Sequence, residues 1–146
     1  MICRNHRVIK AVDASAVDAC RQAIAEGEMW IRLDLSSLGA AVADEVAEAV
    51  VAECKASGVI LTFVDDLESV DRMRVHGLHL TCAASSALRD ARQRLGANAV
   101  IGADVTSAFD GTIGREAFLS SEADRLRALD IDYLSFEGND YLIEDK

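Results

Sequence analysis

The sequence lacks proline entirely, and aromatic residues make up only 5% of its 146 positions. The core must therefore be built mainly from Ala, Val, Leu and Ile. Apolar residues account for 51% and charged residues for 27%, a balance that is typical of globular proteins and excludes a disordered chain. The length predicts one compact domain, which we assign to residues 1–146.

Long hydrophobic runs are also missing. No stretch approaches the roughly 18 consecutive apolar residues that a transmembrane helix requires. Residues 1–7 carry charge but are not followed by the apolar segment of a secretory signal peptide. We therefore predict a cytoplasmic protein.

Positive charge is scarce. The chain has 15 Lys and Arg residues against 25 Asp and Glu residues, which gives a net charge of −10. A surface of this sign repels phosphate backbones and anionic lipid headgroups. We therefore expect neither a nucleic acid nor a membrane as a partner.

The cysteines do not form a recognisable motif. Cys3, Cys20, Cys54 and Cys82 show neither a CxxC pair nor the spacing of a zinc site. Cys20 and Cys54 fall on the apolar stripes of two predicted helices, where a reduced cysteine acts as a small hydrophobic residue. We interpret them as structural thiols, whereas Cys82 lies at the end of a predicted strand.

What is present is a regular alternation of strands and helices. The predicted strands cover residues 8–12, 29–35, 59–64, 78–81, 99–103 and 131–136. Helical patterns lie between them, and the last is predicted to run from Ser121 to Leu129. Nearly continuous apolar strands of this kind indicate a parallel sheet with helices on its faces. The fold class is α/β, and the βα period favours a barrel or a doubly wound sheet over a solenoid.

Several short motifs lie on these elements. They are Gly77-Leu78-His79-Leu80, Ala91-Arg92 with Leu95-Gly96, Val100-Ile101-Gly102, and Asp132-Tyr133-Leu134-Ser135-Phe136. Together they resemble the thiamine-phosphate synthase family and its TenI-type relatives over about residues 8–138. The resemblance implies an eight-stranded (β/α) barrel, of which this sequence contains six strands. We therefore predict a partial TIM barrel that lacks the last βα units, whose loops commonly build a phosphate site.

Two motifs of the resemblance are altered by acidic residues. Where the family has QLRxK, this chain keeps Arg32 but has Trp30 for the glutamine and Asp34 for the lysine. Where the family has INDR, it keeps Asp65 but has Asp66 for the arginine. Both basic residues are thus replaced by acids.

Further departures follow along the chain. Thr81 and Cys82 replace a Gly-Gln pair, Ala84 stands where an aspartate is expected, and Glu137 replaces a phosphate-binding glycine. The family reaction joins a pyrimidine pyrophosphate to a thiazole phosphate with Mg²⁺, so it needs cations and backbone N–H groups around the phosphates. Because the altered positions reverse this charge, we predict that synthase activity has been lost.

The carboxyl ends of the predicted strands are rich in carboxylates. Ligands of parallel α/β proteins bind at these ends. The acidic residues there are Asp13, Asp34, Asp65, Asp66, Asp104 and Glu137. One interpretation is a site for Mg²⁺ or a cationic ligand, with Asp65 as the candidate metal ligand. The other is that aspartates such as Asp13 and Asp66 cap the helices that follow the strands.

Two further residues are candidates for ligand binding. Arg32 could hold a phosphate or pair with the neighbouring aspartates, and we favour pairing. His79 lies within a predicted strand, where it is either a ligand or general base or a buried, hydrogen-bonded histidine, and we favour the second.

Our main hypothesis is a degenerate family member that binds a small phosphorylated or cationic ligand at the strand ends. The alternatives are an active enzyme assembled across an oligomer and an assembly module without a ligand. We also expect a homodimer or a higher even oligomer, because the apolar strand Ile131–Phe136 lacks the proline and lysine that usually protect a sheet edge. Residues 140–144 could add a strand there, but we favour a second subunit. The long connection from Asp104 to Leu119 is predicted to cover the strand ends or form a subunit contact.

Overall fold

The computed structural model describes residues 7–143, so the predictions on Cys3 and on residue 144 lie outside the described part. The strands are β1 (Arg7–Lys10), β2 (Trp30–Asp34), β3 (Ile60–Val64), β4 (Gly77–Leu80), β5 (Val100–Asp104), β6 (Tyr133–Phe136) and β7 (Asn139–Leu142). The helices are α1 (Ser15–Ala25), α2 (Ala40–Ser57), α3 (Leu67–Met73), α4 (Ser85–Leu95) and α5 (Arg115–Ala128). None of the helices in the described range is both long and apolar enough to cross a membrane.

The chain divides into two compact units at Leu78 and His79. In the first unit β1 pairs in parallel with β2, and β2 in parallel with β3. Side chains alternate between the two faces of a strand, and Ile31 and Leu33 on one face of β2 are fully buried. The strands are therefore apolar on this face, as sequence alternation predicts, while the opposite face of β2 carries Arg32.

Helices α1 and α2 pack against each other and contribute buried residues to the core of the first unit. Their buried positions are mostly small, including Ala16, Ala23 and Ala47. Small side chains let two helices approach closely. The predicted end of α2 is confirmed, because Gly58 follows it in the left-handed conformation with φ 68° and donates its N–H to Cys54.

The second unit contains a parallel strand pair and a hairpin. Strand β5 pairs in parallel with β6, and β6 pairs antiparallel with β7. The two residues between β6 and β7, Glu137 and Gly138, have φ of 50° and 83°. Two successive positive φ values are what a type I′ hairpin turn requires. The tail thus forms the additional strand within its own chain, and the preference for a second subunit at this edge of β6 was wrong.

Helix α5 begins six residues earlier than the sequence predicts, at Arg115 instead of Ser121. Phe118 lies within this added segment and is buried against Phe109 and Phe136, with ring centroids 5.0 and 5.6 Å away. Burial of aromatic surface outweighs the capping-box signal at Ser121. The connection from β5 to α5 is consequently anchored by Phe109.

Candidate functional site

Arg32 occupies the middle of β2 and is only 6% exposed. Its guanidinium carbon lies 5.4 Å from the ring centroid of Trp30, which is on the same face of the strand. The Trp30 ring is held in turn, because its Nε1 donates to Thr62 Oγ1 on β3 at 3.0 Å. Trp30, which replaces the family glutamine, therefore forms a fixed platform beside a buried cation.

Asp34 is the last residue of β2 and lies on the same face of the strand as Arg32. Its Oδ1 accepts a hydrogen bond from the backbone N–H of Ser36 at 2.9 Å. This i to i+2 bond is an Asx turn, which starts the loop between β2 and α2. The carboxylate at the position of the family lysine thus shapes its own loop.

Asp65 and Asp66 follow β3 directly. Asp65 is exposed and has φ 57°, a left-handed conformation that Asp tolerates better than most residues. Asp66 caps α3, since its Oδ1 accepts from the backbone N–H of Ser69 at 3.1 Å. The capping interpretation of Asp66 is confirmed.

The same use of a carboxylate occurs after β1. Asp13 is exposed, and its Oδ1 accepts from the backbone N–H of Ser15 at 2.8 Å. Hydrogen bonds from the Ser15 side chain and backbone lower the pKa of the Asp13 carboxyl below its usual value. Asp13 therefore orders the entry to α1, although the helix N-cap itself is Ala14.

His79 on β4 and Tyr133 on β6 form a buried pair in the second unit. His79 is 5% exposed and Tyr133 is fully buried. The His79 Nδ1 and the Tyr133 hydroxyl lie 2.8 Å apart. Gly102 of β5 makes room for this contact, because a Cβ there would lie 1.9 Å from Cζ of Tyr133. The interpretation of His79 as a buried, hydrogen-bonded histidine is confirmed.

Asp104 and Glu137 are brought together by a residue that sequence reasoning missed, Thr106. The backbone N–H of Thr106 donates to Asp104 Oδ1 at 2.8 Å. Its Oγ1 accepts from the backbone N–H of Glu137 at 2.9 Å. The loop after β5 is thereby attached to the hairpin turn after β6.

Arg115 is the second residue that sequence reasoning missed. Its Nη1 lies 2.7 and 2.8 Å from the two carboxylate oxygens of Glu137, and its guanidinium carbon lies 4.8 Å from the Phe136 ring centroid. The hydrogen bond to Glu137 raises the pKa of Arg115. The sequence predicts a loop at Arg115, which follows a glycine. The pairing of Arg115 with Glu137 becomes evident only because α5 begins at this residue.

Arg92 of α4 explains two motifs of the resemblance. Its side chain is 12% exposed and donates to the carbonyl oxygens of Gly96, Ala99 and Asp130 at 2.8–2.9 Å. Its Nη2 also donates to Asp132 Oδ2 at 2.9 Å. These two motif residues therefore hold α4 to the chain segments that precede β5 and β6.

The acidic residues do not form a metal cage. Within residues 7–143, no group of three or more His, Cys, Asp or Glu side chains is placed to hold a metal ion. Mg²⁺ commonly binds through one or two carboxylates together with substrate phosphates. The present residues do not fit a site built by protein ligands alone, and Asp65 as a metal ligand stays a prediction.

The seven candidate residues fall into two sets. Arg32, Asp34, Asp65 and Asp66 belong to the first unit, and His79, Asp104 and Glu137 belong to the second. Three of the carboxylates, Asp34, Asp66 and Asp104, each accept a backbone N–H of the following loop or helix. These three carboxylates therefore form turns or helix caps in this structure. Among the seven candidates, Arg32 is a buried cation.

A likeness to a solved structure shows the fold. Thiamine phosphate pyrophosphorylase from Pyrococcus furiosus superposes with a TM-score of 0.69 at 17% sequence identity. The match covers 91% of this chain and 59% of that one, so this chain spans about three-fifths of the length of that protein. The predicted fold class, a partial (β/α) barrel with mostly parallel strands, is confirmed.

The sequence comparisons differ in what they return. No curated protein matches the chain at a significant level. A protein-family model described as thiamine monophosphate synthase matches residues 1–136. Because this match spans nearly the whole sequence, the chain belongs to the thiamine monophosphate synthase and TenI family.

Proposed function

We propose that this chain binds a small phosphorylated ligand at the carboxyl ends of its strands and does not synthesise thiamine phosphate. The observation that carries the proposal is the role of Asp34 and Asp66. They stand where the resemblance expects a lysine and an arginine, and each is engaged by the backbone N–H of Ser36 or Ser69. Acids in these places oppose the binding of a pyrophosphate and its developing negative charge.

Binding of a single phosphate is supported by Arg32. A guanidinium can contact two oxygens of one phosphate with its fixed fork of donors. Arg32 is held against Trp30 and is nearly buried, so its position requires little ordering when a ligand arrives. One pre-ordered cation suits a monophosphate better than the several charges of a pyrophosphate–metal complex.

The family supports the class of ligand. The Pyrococcus furiosus protein is described as a thiamine phosphate pyrophosphorylase. This chain spans 59% of that protein, so the activity of the whole relative is not transferred to it. The shared fold and the altered charges together support the binding of a phosphorylated ligand without the synthase reaction.

A turnover assay tests the loss of synthase activity. The purified chain is incubated with the pyrimidine pyrophosphate, the thiazole phosphate and Mg²⁺, and thiamine phosphate is measured against a no-protein control. We expect no product above the control. Product that disappears in an Asp65→Ala variant would show that the chain is an active synthase and that Asp65 serves the reaction.

Thermal unfolding tests the binding proposal independently. We expect the midpoint to rise with the concentration of inorganic phosphate or thiamine phosphate, because a ligand of the folded state stabilises it by mass action. Arg32→Gln should abolish the response, Arg32→Lys should weaken it, and the exposed control Arg89→Gln should keep it. A response to Mg²⁺ alone would favour the cation site, and no response to any ligand would favour an assembly module.

A further inference from the structure

Two buried cysteines meet where α1 packs on α2 in the first unit. Cys20 of α1 is fully buried and Cys54 of α2 is 2% exposed. Their sulfur atoms lie 3.9 Å apart, and both are free thiols. The sequence predicts each as an isolated hydrophobic residue, 34 positions apart, whereas the packing of the helices makes them neighbours.

We propose that Cys20 and Cys54 are a redox-sensitive pair, which a hydroperoxide converts into a disulfide that joins α1 to α2. A disulfide has a sulfur–sulfur distance of about 2.05 Å. The two sulfur atoms must therefore approach by roughly 1.9 Å for the bond to form. This inference does not depend on the proposed phosphate site.

The proposal gives the two thiols different roles. The hydrogen-bond contact between the two thiols lowers the pKa of Cys20 and raises the pKa of Cys54. Within the proposal Cys20 is the thiol that attacks the peroxide and Cys54 is the thiol that resolves, an order that the Cys54→Ala variant tests. Thiolate character is what controls the reaction of cysteine with peroxides.

The reaction proceeds in two balanced steps. The Cys20 thiolate attacks one peroxide oxygen, an S–O bond forms, the O–O bond breaks, and the leaving hydroxide or alkoxide takes up a proton. The Cys54 sulfur then attacks the sulfenic sulfur of Cys20, an S–S bond forms, the S–O bond breaks, and water leaves with the Cys54 proton. Two electrons pass from the sulfurs to the hydroperoxide, which is reduced to water or an alcohol and water.

An ion pair joins α1 to α2 through residues adjacent in sequence to the two cysteines. Arg21 follows Cys20, and its Nε lies 2.8 Å from Oε1 of Glu53, which precedes Cys54. Arg21 also contacts Asp18 at 3.4 Å. Because the thiols are buried, a peroxide reaches them when the two helices separate locally, and this ion pair opposes that opening.

Mass spectrometry of the folded protein tests the proposal. A Cys3→Ser/Cys82→Ser variant keeps Cys20 and Cys54 as its only cysteines. We expect peroxide to lower the mass by 2 Da per chain and to consume both thiols together. Digestion should then yield a Cys20–Cys54 linked peptide that a dithiol reductant cleaves. With Cys54→Ala added, Cys20 should instead gain 16 or 32 Da. The proposal is overturned if both thiols stay reduced in peroxide that oxidises the exposed Cys82 of the wild type, or if links form only between chains.

Two further measurements test whether opening of the α1–α2 contact controls disulfide formation and whether the disulfide fits the native helices. Arg21→Ala should increase the rate of disulfide formation several-fold, while Arg127→Ala, which removes an ion pair with Asp124 in the other unit, should leave it unchanged. The oxidised Cys3→Ser/Cys82→Ser protein should unfold about 5 °C or more above its reduced form, since the link restrains the unfolded chain. An oxidised form that unfolds earlier would contradict a disulfide compatible with the native helices.

Discussion

The hydroxyl of Tyr133 on β6 lies 2.8 Å from Nδ1 of His79 on β4, and the absence of a side chain at Gly102 of β5 is what allows it. Gly102 is opposite Tyr133 in the β5–β6 register, so the tyrosine ring occupies the volume above the glycine. Three residues from the motifs of the resemblance thus form one packed group. The glycine, the tyrosine and the histidine have a structural explanation that does not require a ligand.

Gly102→Ala should destabilise the protein by about 1–3 kcal/mol, because its Cβ would overlap the Tyr133 ring. The measurement is the free energy of unfolding from denaturant titration. Gly39→Ala is the matched control, since no atom lies within 4 Å of a Cβ at that position. A Tyr133→Leu/Gly102→Ala double variant should recover part of the loss, and strictly additive effects would contradict the overlap.

Removal of the hydroxyl alone tests the hydrogen bond. Tyr133→Phe should cost about 1 kcal/mol, because it deletes a buried bond to His79 while keeping the ring. Tyr141→Phe removes a hydroxyl from a residue that is 42% exposed and should change the free energy of unfolding by much less. Equal losses in the two variants would show that the His79 contact contributes nothing specific.

Arg92→Ala should destabilise the protein by about 3 kcal/mol, since it deletes four hydrogen bonds of a nearly buried guanidinium, including one to Asp132. The exposed Arg89→Ala on the same helix is the control. Neither substitution should alter the stabilisation that phosphate gives the folded protein. A lost phosphate response in an Arg92→Ala protein that still folds would assign Arg92 to ligand binding.

Substitutions of Asp66 distinguish its capping role from the effect of its charge on ligand binding. Asp66→Ala should cost about 1 kcal/mol of stability through loss of the cap on Ser69 N–H. Asp66→Ser keeps a capping oxygen and should restore most of that stability. Both variants remove a negative charge near the strand ends, so both should increase the response to inorganic phosphate. An unchanged response would show that this charge does not affect binding.

Proteolysis tests how firmly the segment before α5 is held. Trypsin should cut slowly after Arg115 in the folded protein, because Arg115 is paired with Glu137 and lies in a helix. Phe109→Ala removes a ring packed on Phe118 and Phe136 and should accelerate that cut several-fold. Rapid cutting of the wild type after Arg115 would favour the mobile segment that the length of the connection first suggests.

A homodimer or higher even oligomer stays a prediction. Strand β7 carries Tyr141 and Leu142, which are 42% and 37% exposed. If these residues form the contact, Leu142→Lys should shift the sedimenting species towards the monomer, whereas the exposed Val42→Lys on α2 should not. A wild type that remains monomeric as its concentration is raised would contradict the prediction.

The sequence predicts most of the first unit. The apolar and then alternating pattern of β2, the continuous apolar run of β3 and the capping aspartate Asp66 before α3 each predict the element that the structure shows. These features depend on residues that are close in the chain, where hydrophobic periodicity and capping preferences act directly. Local sequence predicts that an aspartate at a strand end can form a turn or a helix cap. It does not show whether such aspartates converge on a ligand, so the sequence leaves both interpretations open.

The remainder depends on contacts between distant residues. Neither the approach of His79 and Tyr133, 54 positions apart, nor the attachment of Glu137 to Arg115 and Thr106 leaves a local pattern. The early start of α5 is decided by the burial of Phe118 and not by its own capping sequence. Tertiary packing thus overrides local preference in the second unit.

The type I′ turn at Glu137 and Gly138 also bears on the order of events during folding. A two-residue hairpin closes within microseconds because it needs no distant partner, whereas the parallel pairing of β5 with β6 must wait for the intervening helix. The four residues of β6 are all buried in the folded protein, so before assembly this mostly apolar strand is exposed and is a segment on which chains can aggregate. Early pairing with β7 satisfies one edge of its backbone while the rest of the unit assembles.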